Sequence, residues 1–174
     1  SVEVFADQPD EILDQAKKIS LWGKHLFVKV PIVNTKGKIL TSVIQKLNSN
    51  KIKLNITAIF TLEQVTQIKK VIDYKTPVIV SIFCGRIADS GLDPEILTKK
   101  AVKIFKNHKN VQILWASTRE VLNYQQARKC KCHIITMSPT LIDKLNTQKI
   151  PLKKWSIKTV QQFFADGKKS NFSI

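Results

Sequence analysis

The stretch His25-Leu-Phe-Val-Lys-Val-Pro31 sets one lysine inside a run that is otherwise apolar and largely β-branched. A short apolar run bounded by Gly23 and Pro31 reads as a strand of a parallel sheet, covered on both faces. A lysine there loses its hydration shell, so Lys29 needs a partner or a task. Desolvation favours the neutral amine, and a neutral lysine is a nucleophile that forms a Schiff base with a carbonyl. The plainer alternative is a structural ion pair, with Glu3 as the candidate partner. The residues alone leave both open.

On either side of this strand the chain alternates strand-like and helix-like pieces. Val2 to Phe5 is strand-like, and Asp7 to Trp22 puts Ile12, Leu13, Ala16 and Ile19 on one helical face that Gly23 ends. Asn34 to Gly37 reads as a turn, Ile39 to Leu47 as helix and Leu54 to Phe60 as strand. Leu62 to Tyr74 is expected to be helical, Val78 to Phe83 a strand, Pro94 to Asn107 a helix and Gln112 to Ala116 a strand. Glu120 to Lys129 with His133 to Met137 completes the last helix and strand, before a short helix at Pro139 to Asn146 and a terminal one at about 156–166.

Six strand starts recur every 26 residues or so, about the pace of a typical eight-unit barrel at ~31 per unit. Strict alternation implies a parallel sheet. No Gly-rich phosphate loop follows any strand, which disfavours a dinucleotide-binding open sheet. Polar residues fall in or just past five of the apolar runs: Glu3, Lys29, Asn55 with Thr57, Arg86, and Ser117 with Arg119. Barrels gather functional residues from the ends of many strands, whereas open sheets concentrate them at one switch point. The expectation is therefore an α/β fold, a TIM (β/α)8-type barrel with six βα units present, in one domain over residues 1–174.

Composition narrows the function classes. The 174 residues, 43% of them hydrophobic, suffice for one sizeable core. No run approaches the ~18 consecutive apolar residues of a membrane span, and the reading is a soluble, cytoplasmic protein with no membrane partner. Three cysteines are too few for a disulfide framework, and Cys130-Lys-Cys132-His133 lacks a second ligand pair, so no metal is expected. The net charge of +16 raises nucleic acid as a partner. Against it, arginine occurs only at Arg86, Arg119 and Arg128, and the lysines look scattered along the chain. The same positive field draws in small phosphorylated substrates.

Ser1-Val-Glu-Val4, Phe27-Val-Lys-Val-Pro31, Leu54-Asn-Ile-Thr-Ala-Ile-Phe-Thr-Leu-Glu-Gln64, Cys84-Gly-Arg-Ile-Ala-Asp89 and Trp115-Ala-Ser-Thr-Arg119 follow one another at strand-like intervals. In this order they resemble successive strands of the transaldolase family, which includes the smaller fructose-6-phosphate aldolases. The likeness runs through nearly the whole chain, Phe163 to Asp166 included. By that resemblance Lys29 is the Schiff-base lysine, Glu3 and Thr57 hold a proton-shuttling water, and Asn55 bonds a substrate hydroxyl. Arg86, Ser117 and Arg119 would grip the phosphate of a sugar phosphate. The implied reaction moves a dihydroxyacetone unit between sugar phosphates, with no cofactor. A homo-oligomer is expected separately, because a six-unit barrel leaves two edge strands that self-association would cover.

Two features depart from the family pattern. Its first two strands carry an aspartate and a Thr-Thr-Asn-Pro-like segment, to which nothing here corresponds, so the chain reads as a form that lacks those strands. Val33-Asn34-Thr35 stands where many relatives have a threonine nearer the lysine, and the Gly37 turn comes one residue late. The rival readings are a catalytically inactive truncated barrel with a structural lysine and, from another class, a basic nucleic-acid binder.

Overall fold

Six parallel strands pair side by side in chain order in a computed structural model that describes residues 1–146 and 150–170. They are β1 (Val2–Glu3), β2 (Val28–Pro31), β3 (Leu54–Ile59), β4 (Val78–Ile82), β5 (Val111–Trp115) and β6 (Ile134–Ile135). Between them run α1 (Pro9–Ser20), α2 (Thr41–Ser49), α3 (Leu62–Val71), α4 (Cys84–Asp89), α5 (Pro94–Phe105) and α6 (Leu122–Lys129). The sheet curls into a half-barrel, as βα units in strict succession require. Among the described residues β1 and β6 are its edges, each paired on one side. The helical segments end or begin within a few residues of the expected bounds, except for α4, which the sequence pattern did not reveal. Six residues are too few to show a helical period.

Local chemistry explains the helix starts. Thr61 and Gln64 form a reciprocal cap on α3: Gln64 N donates to Thr61 Oγ1 at 3.2 Å, and Thr61 N donates to Gln64 Oε1 at 3.1 Å. α5 has Pro94 in its first turn and Asp93 before it, whose carboxylate accepts from Glu95 N at 2.9 Å. In α1, Asp10 and Glu11 sit in the first turn and Lys17 and Lys18 in the last, which complements the helix dipole.

Strand periodicity then divides the sheet into two unlike faces. Val28, Val30, Leu54, Ile56, Val78, Val80, Ile82, Ile113 and Trp115 point outward into the main core, against Ile12, Ala16, Ile44, Leu47, Val65, Ile68, Ala101 and Phe105 of the helices. The concave face has a much smaller apolar cluster: Ile79, Leu114 and Ala116, flanked by Phe27, Phe83 and Ile134. The expectation that the Lys29 strand is covered on both faces is therefore corrected. Its outward face is dry, while the Lys29 side chain on the concave face keeps 29% exposure.

The chain divides into two compact units, Ser1–Met137 and Ser138–Ile174. The second contains α7 (Pro139–Leu145), capped by Ser138 Oγ accepting from Leu141 N at 3.3 Å, and α8 (Leu152–Lys169). α8 is longer than expected, starting right after Pro151. It has no buried residue, and Leu152, Ile157, Val160, Phe163 and Phe164 are exposed. Among the described residues no helix is long and apolar enough to cross a membrane.

One buried charge ties the outer layer together. Glu95, at the start of α5, is 8% exposed and accepts from Lys99 Nζ at 2.7 Å and Lys129 Nζ at 3.1 Å, both through Oε2. The Lys99 hydrogen bond, with Lys129 assisting, holds its carboxyl below the ordinary glutamate range. A carboxyl whose pKa is depressed on folding stabilises the fold above its unfolded pKa, and that stabilisation is lost as the pH falls through the folded value. Glu95→Gln should therefore lower the thermal midpoint at pH 7 and narrow the gap between variant and parent on acidification below the glutamate range. Melting curves at both pH values check this, and a gap that stays constant would refute it.

Candidate active site

The parallel ladder brings the polar strand residues into rows. Glu3 lies opposite Lys29, and Lys29 opposite Asn55, while Pro31 lies opposite Thr57 one step further along. Because paired residues of a parallel sheet face the same side, Glu3, Lys29 and Asn55 share the concave face, and Thr57 joins them two residues on. Lys29 Nζ meets Glu3 Oε2 at 3.1 Å, with the side chains 29% and 45% exposed. Lys29 is thus paired and reachable from solvent.

Deeper in the concave face the polar groups are buried. Ser81 Oγ donates to Asn55 Oδ1 at 2.6 Å, and Asn55 Nδ2 donates to Ser1 Oγ at 3.1 Å. These two bonds orient the amide. Thr57 is 1% exposed, and among the described residues its hydroxyl has no hydrogen-bond partner. A buried hydroxyl without a partner is costly, and the buried Asn48 Nδ2 and Trp115 Nε1 share that state. Lys29, Asn55, Thr57, Ser81, Phe83 and Ser117 line a cavity of about 180 Å³, together with Ser1, Leu114, Ala116 and Thr136.

Backbone irregularities aim these groups. The β3–β4 register shifts between Ile56 and Ile59, where Ala58 has φ 57°. This bulge lets Thr57 stay on the concave face while Ile59 returns to the outer core. Ser117, just past β5, has φ 62°. Left-handed conformations in residues with a Cβ are unusual and cluster at functional sites. The Ser117 carbonyl lies so close to Gly85 on α4 that a Cβ at Gly85 would overlap it.

The arginines sit apart from the cavity lining. Arg86, on α4, is exposed, and its guanidinium lies 5.5 Å from the centre of the Phe83 ring. Arg119 donates through Nε and Nη2 to Asp89 Oδ2 at 3.2 and 3.0 Å, with about half of each side chain exposed. Of the seven residues expected from sequence, four line the cavity, Glu3 is joined to it through Lys29, and the two arginines stand on adjoining turns. Ser81, Phe83 and Thr136 were not anticipated. Ser81 had a visible signal, a lone hydroxyl within Val78-Ile-Val-Ser-Ile82.

Burial disfavours the thiolate at each cysteine: it pushes Cys84 up to about 12 and Cys130 up to about 11, and raises Cys132 as well. His133 Nδ1 accepts from Ile113 N at 3.0 Å, and among the described residues no group of three or more His, Cys, Asp or Glu side chains converges to hold a metal.

The chain matches the family described as Transaldolase/Fructose-6-phosphate aldolase over residues 1–173. It is 34% identical over 161 residues to a probable transaldolase of Herpetosiphon aurantiacus, covering 91% of this chain and 68% of that protein. It is 30% identical to probable transaldolase 2 of Listeria monocytogenes and 31% identical to a probable transaldolase of Nitrosopumilus maritimus, each alignment covering 83% of this chain and 63% of the relative. The chain thus spans about two thirds of the length of these curated relatives.

The tight passage at Gly85 gives a direct test. Gly85→Ala must push α4 from the Ser117 turn, because the obstruction is backbone. Overpacking of this kind costs ~1–3 kcal/mol. Urea unfolding should register that loss, whereas an unchanged midpoint would mean that the turn yields freely.

Proposed function

This chain belongs to the transaldolase/fructose-6-phosphate aldolase family, and we propose on that premise that it moves a dihydroxyacetone unit from a ketose phosphate to an aldose phosphate through a Schiff base on Lys29. The observation that carries this reading is the convergence of Lys29, Asn55, Thr57 and Ser117 on one cavity of about 180 Å³.

The chemistry follows from these positions. The Lys29 amine attacks the ketose carbonyl, and the carbinolamine loses water to give an iminium that draws electrons from the bond between its α and β carbons. That bond breaks as the hydroxyl on the β carbon gives up its proton, the aldose phosphate leaves, and the resulting enamine adds to the acceptor aldehyde. Water then hydrolyses the new iminium to release the product ketose phosphate and restore the Lys29 amine. Attack needs a neutral amine, and Glu3 Oε2, 3.1 Å from Nζ, is the nearest acceptor for its proton. Glu3 and the unpartnered Thr57 hydroxyl hold the water that carries protons between steps. Asn55, oriented by Ser81, bonds a substrate hydroxyl.

Arg86, Ser117 and Arg119 hold the phosphate, since guanidinium forks suit its oxygens and both arginines are at exposed positions. Arg119 then exchanges Asp89 for the substrate. Borohydride added with fructose 6-phosphate or dihydroxyacetone should leave a mass adduct on Lys29, which Lys29→Met abolishes without unfolding the chain. If no adduct forms, Lys29 serves Glu3 alone. Arg86→Ala or Arg119→Ala should raise KM roughly tenfold or more for phosphorylated sugars and much less for dihydroxyacetone.

The protein's homo-oligomeric state is part of the same proposal. The exposed Ile157, Val160, Phe163 and Phe164 of α8 put several large apolar side chains on one 18-residue helix in water. Val160→Glu with Phe163→Glu should shift sedimentation toward the monomer. Identical, concentration-independent profiles for parent and variant would remove α8 from any subunit contact.

A further inference from the structure

The lysines that look scattered along the chain converge on the outer helical layer. Lys99, Val102, Lys103 and Lys106 follow at i, i+3, i+4 and i+7 along α5 and its C-cap, so they share one side of the helix. The end of α6 brings Lys129 and Lys131 to the same place, and the two segments enclose a cleft of about 320 Å³. It lies among the helices outside the sheet, away from the concave face that carries Lys29.

The charges in this cleft do not balance. Five lysines line it, and the carboxylate in contact with two of them, Lys99 and Lys129, is Glu95. Among the described residues Lys103, Lys106 and Lys131 have no ion pair. Lysines near helix C-termini have a plain explanation in the helix dipole, but each end supplies only about half a negative charge. Two helix ends, Glu95 and the nearby Asp93, whose charge acts on Lys99 and Cys130, offset about three of the five charges, leaving about two. Glu95, nearly buried, also fixes Lys99 and Lys129 in place, so part of the site is assembled before any ligand arrives. The walls between the charges are apolar, made of lysine stems and Val102.

We propose that this cleft binds a compact anion carrying several phosphate groups, at a site separate from the one that holds Lys29. Its size suits a small polyphosphate or a bisphosphorylated metabolite, and its lysines, unlike arginine forks, read charge density more than planar geometry.

Titration of the full chain with inorganic tripolyphosphate tests this by calorimetry. Saturable binding near one per chain is expected, tighter than for orthophosphate and weakening steeply with salt. Lys103→Gln/Lys106→Gln/Lys131→Gln removes the three unpaired charges and leaves the Glu95 pairs intact, and should weaken binding by about tenfold or more. Lys17→Gln/Lys46→Gln/Lys69→Gln removes the same charge from α1, α2 and α3 and should leave affinity within about twofold. The corresponding Lys→Arg triple variant in the cleft should retain binding, which separates lost charge from lost folding. Equal losses in both glutamine variants, no saturable binding in the parent, or orthophosphate binding as tightly as tripolyphosphate would each overturn the proposal. So would duplex DNA that depends on the cleft lysines while tripolyphosphate fails to compete with it. Competition by a bisphosphorylated sugar but not by longer polyphosphate would support the proposal and identify the metabolite as the source.

Discussion

The in-register parallel pairing of β1, β2 and β3 is the constraint from which the candidate site follows. Val2 N donates to the Phe27 carbonyl and Val4 N to the Lys29 carbonyl, each at 3.1 Å, and these two bonds fix Glu3 beside Lys29. Adjacent strands lie ~4.8 Å apart, so side chains directly opposite one another must meet or repel. A carboxylate and an ammonium are the pair that such a row accommodates without loss. A slip of one residue would turn Lys29 into the dry outer core and Val28 or Val30 into the open face, which is prohibitive in both directions. Packing of the outer face thus holds the concave face in register.

Where regular pairing ends, special backbone takes over. Ala58 and Ser117 hold left-handed conformations beside Thr57 and Arg119. A non-glycine residue there stores on the order of 1 kcal/mol or more. The surrounding structure sustains that cost: Ile59 anchors one side of the bulge in the core, and Gly85 leaves room for the Ser117 carbonyl. The strained residues are therefore determined by their neighbours rather than by their own preferences. This is also why neither could be read from local sequence.

Legibility in the sequence divided along the same physical line. Strand order, alternation and the Lys29–Glu3 pairing were readable because each depends on a period of two or on one polar residue in an apolar run. Ser81 obeys that rule as well and could have been found with it. α4 was hidden by its shortness, and the bulge at Ala58 by alanine's lack of any turn signature. Coverage of β2 on both faces was an inference from an apolar run, yet Phe27 and Lys29 on the concave face are only half-buried. The lysine cleft was half visible, since the spacing of Lys99, Lys103 and Lys106 on one helix is plain. Packing of α5 against the end of α6 was needed to add Lys129 and Lys131.

The two charge clusters also differ in how firmly they hold their lysines, and the difference suits different tasks. Glu95 is nearly buried and bonded to two ammonium groups, so displacing either one leaves a carboxylate with less compensation in a poorly solvated place. The Lys29–Glu3 pair is 29% and 45% exposed, and exposed pairs are worth ~0–1 kcal/mol. A Schiff-base lysine must leave its counter-ion, lose a proton and swing onto a carbonyl carbon. A strong, dry ion pair would add its own strength to that barrier, whereas a weak one adds at most a factor of about five in rate. Partial exposure of Lys29 is thus compatible with the nucleophilic chemistry proposed for it: Glu3 meets the amine in an exposed pair, and burial is concentrated instead on Asn55, Thr57 and Ser81.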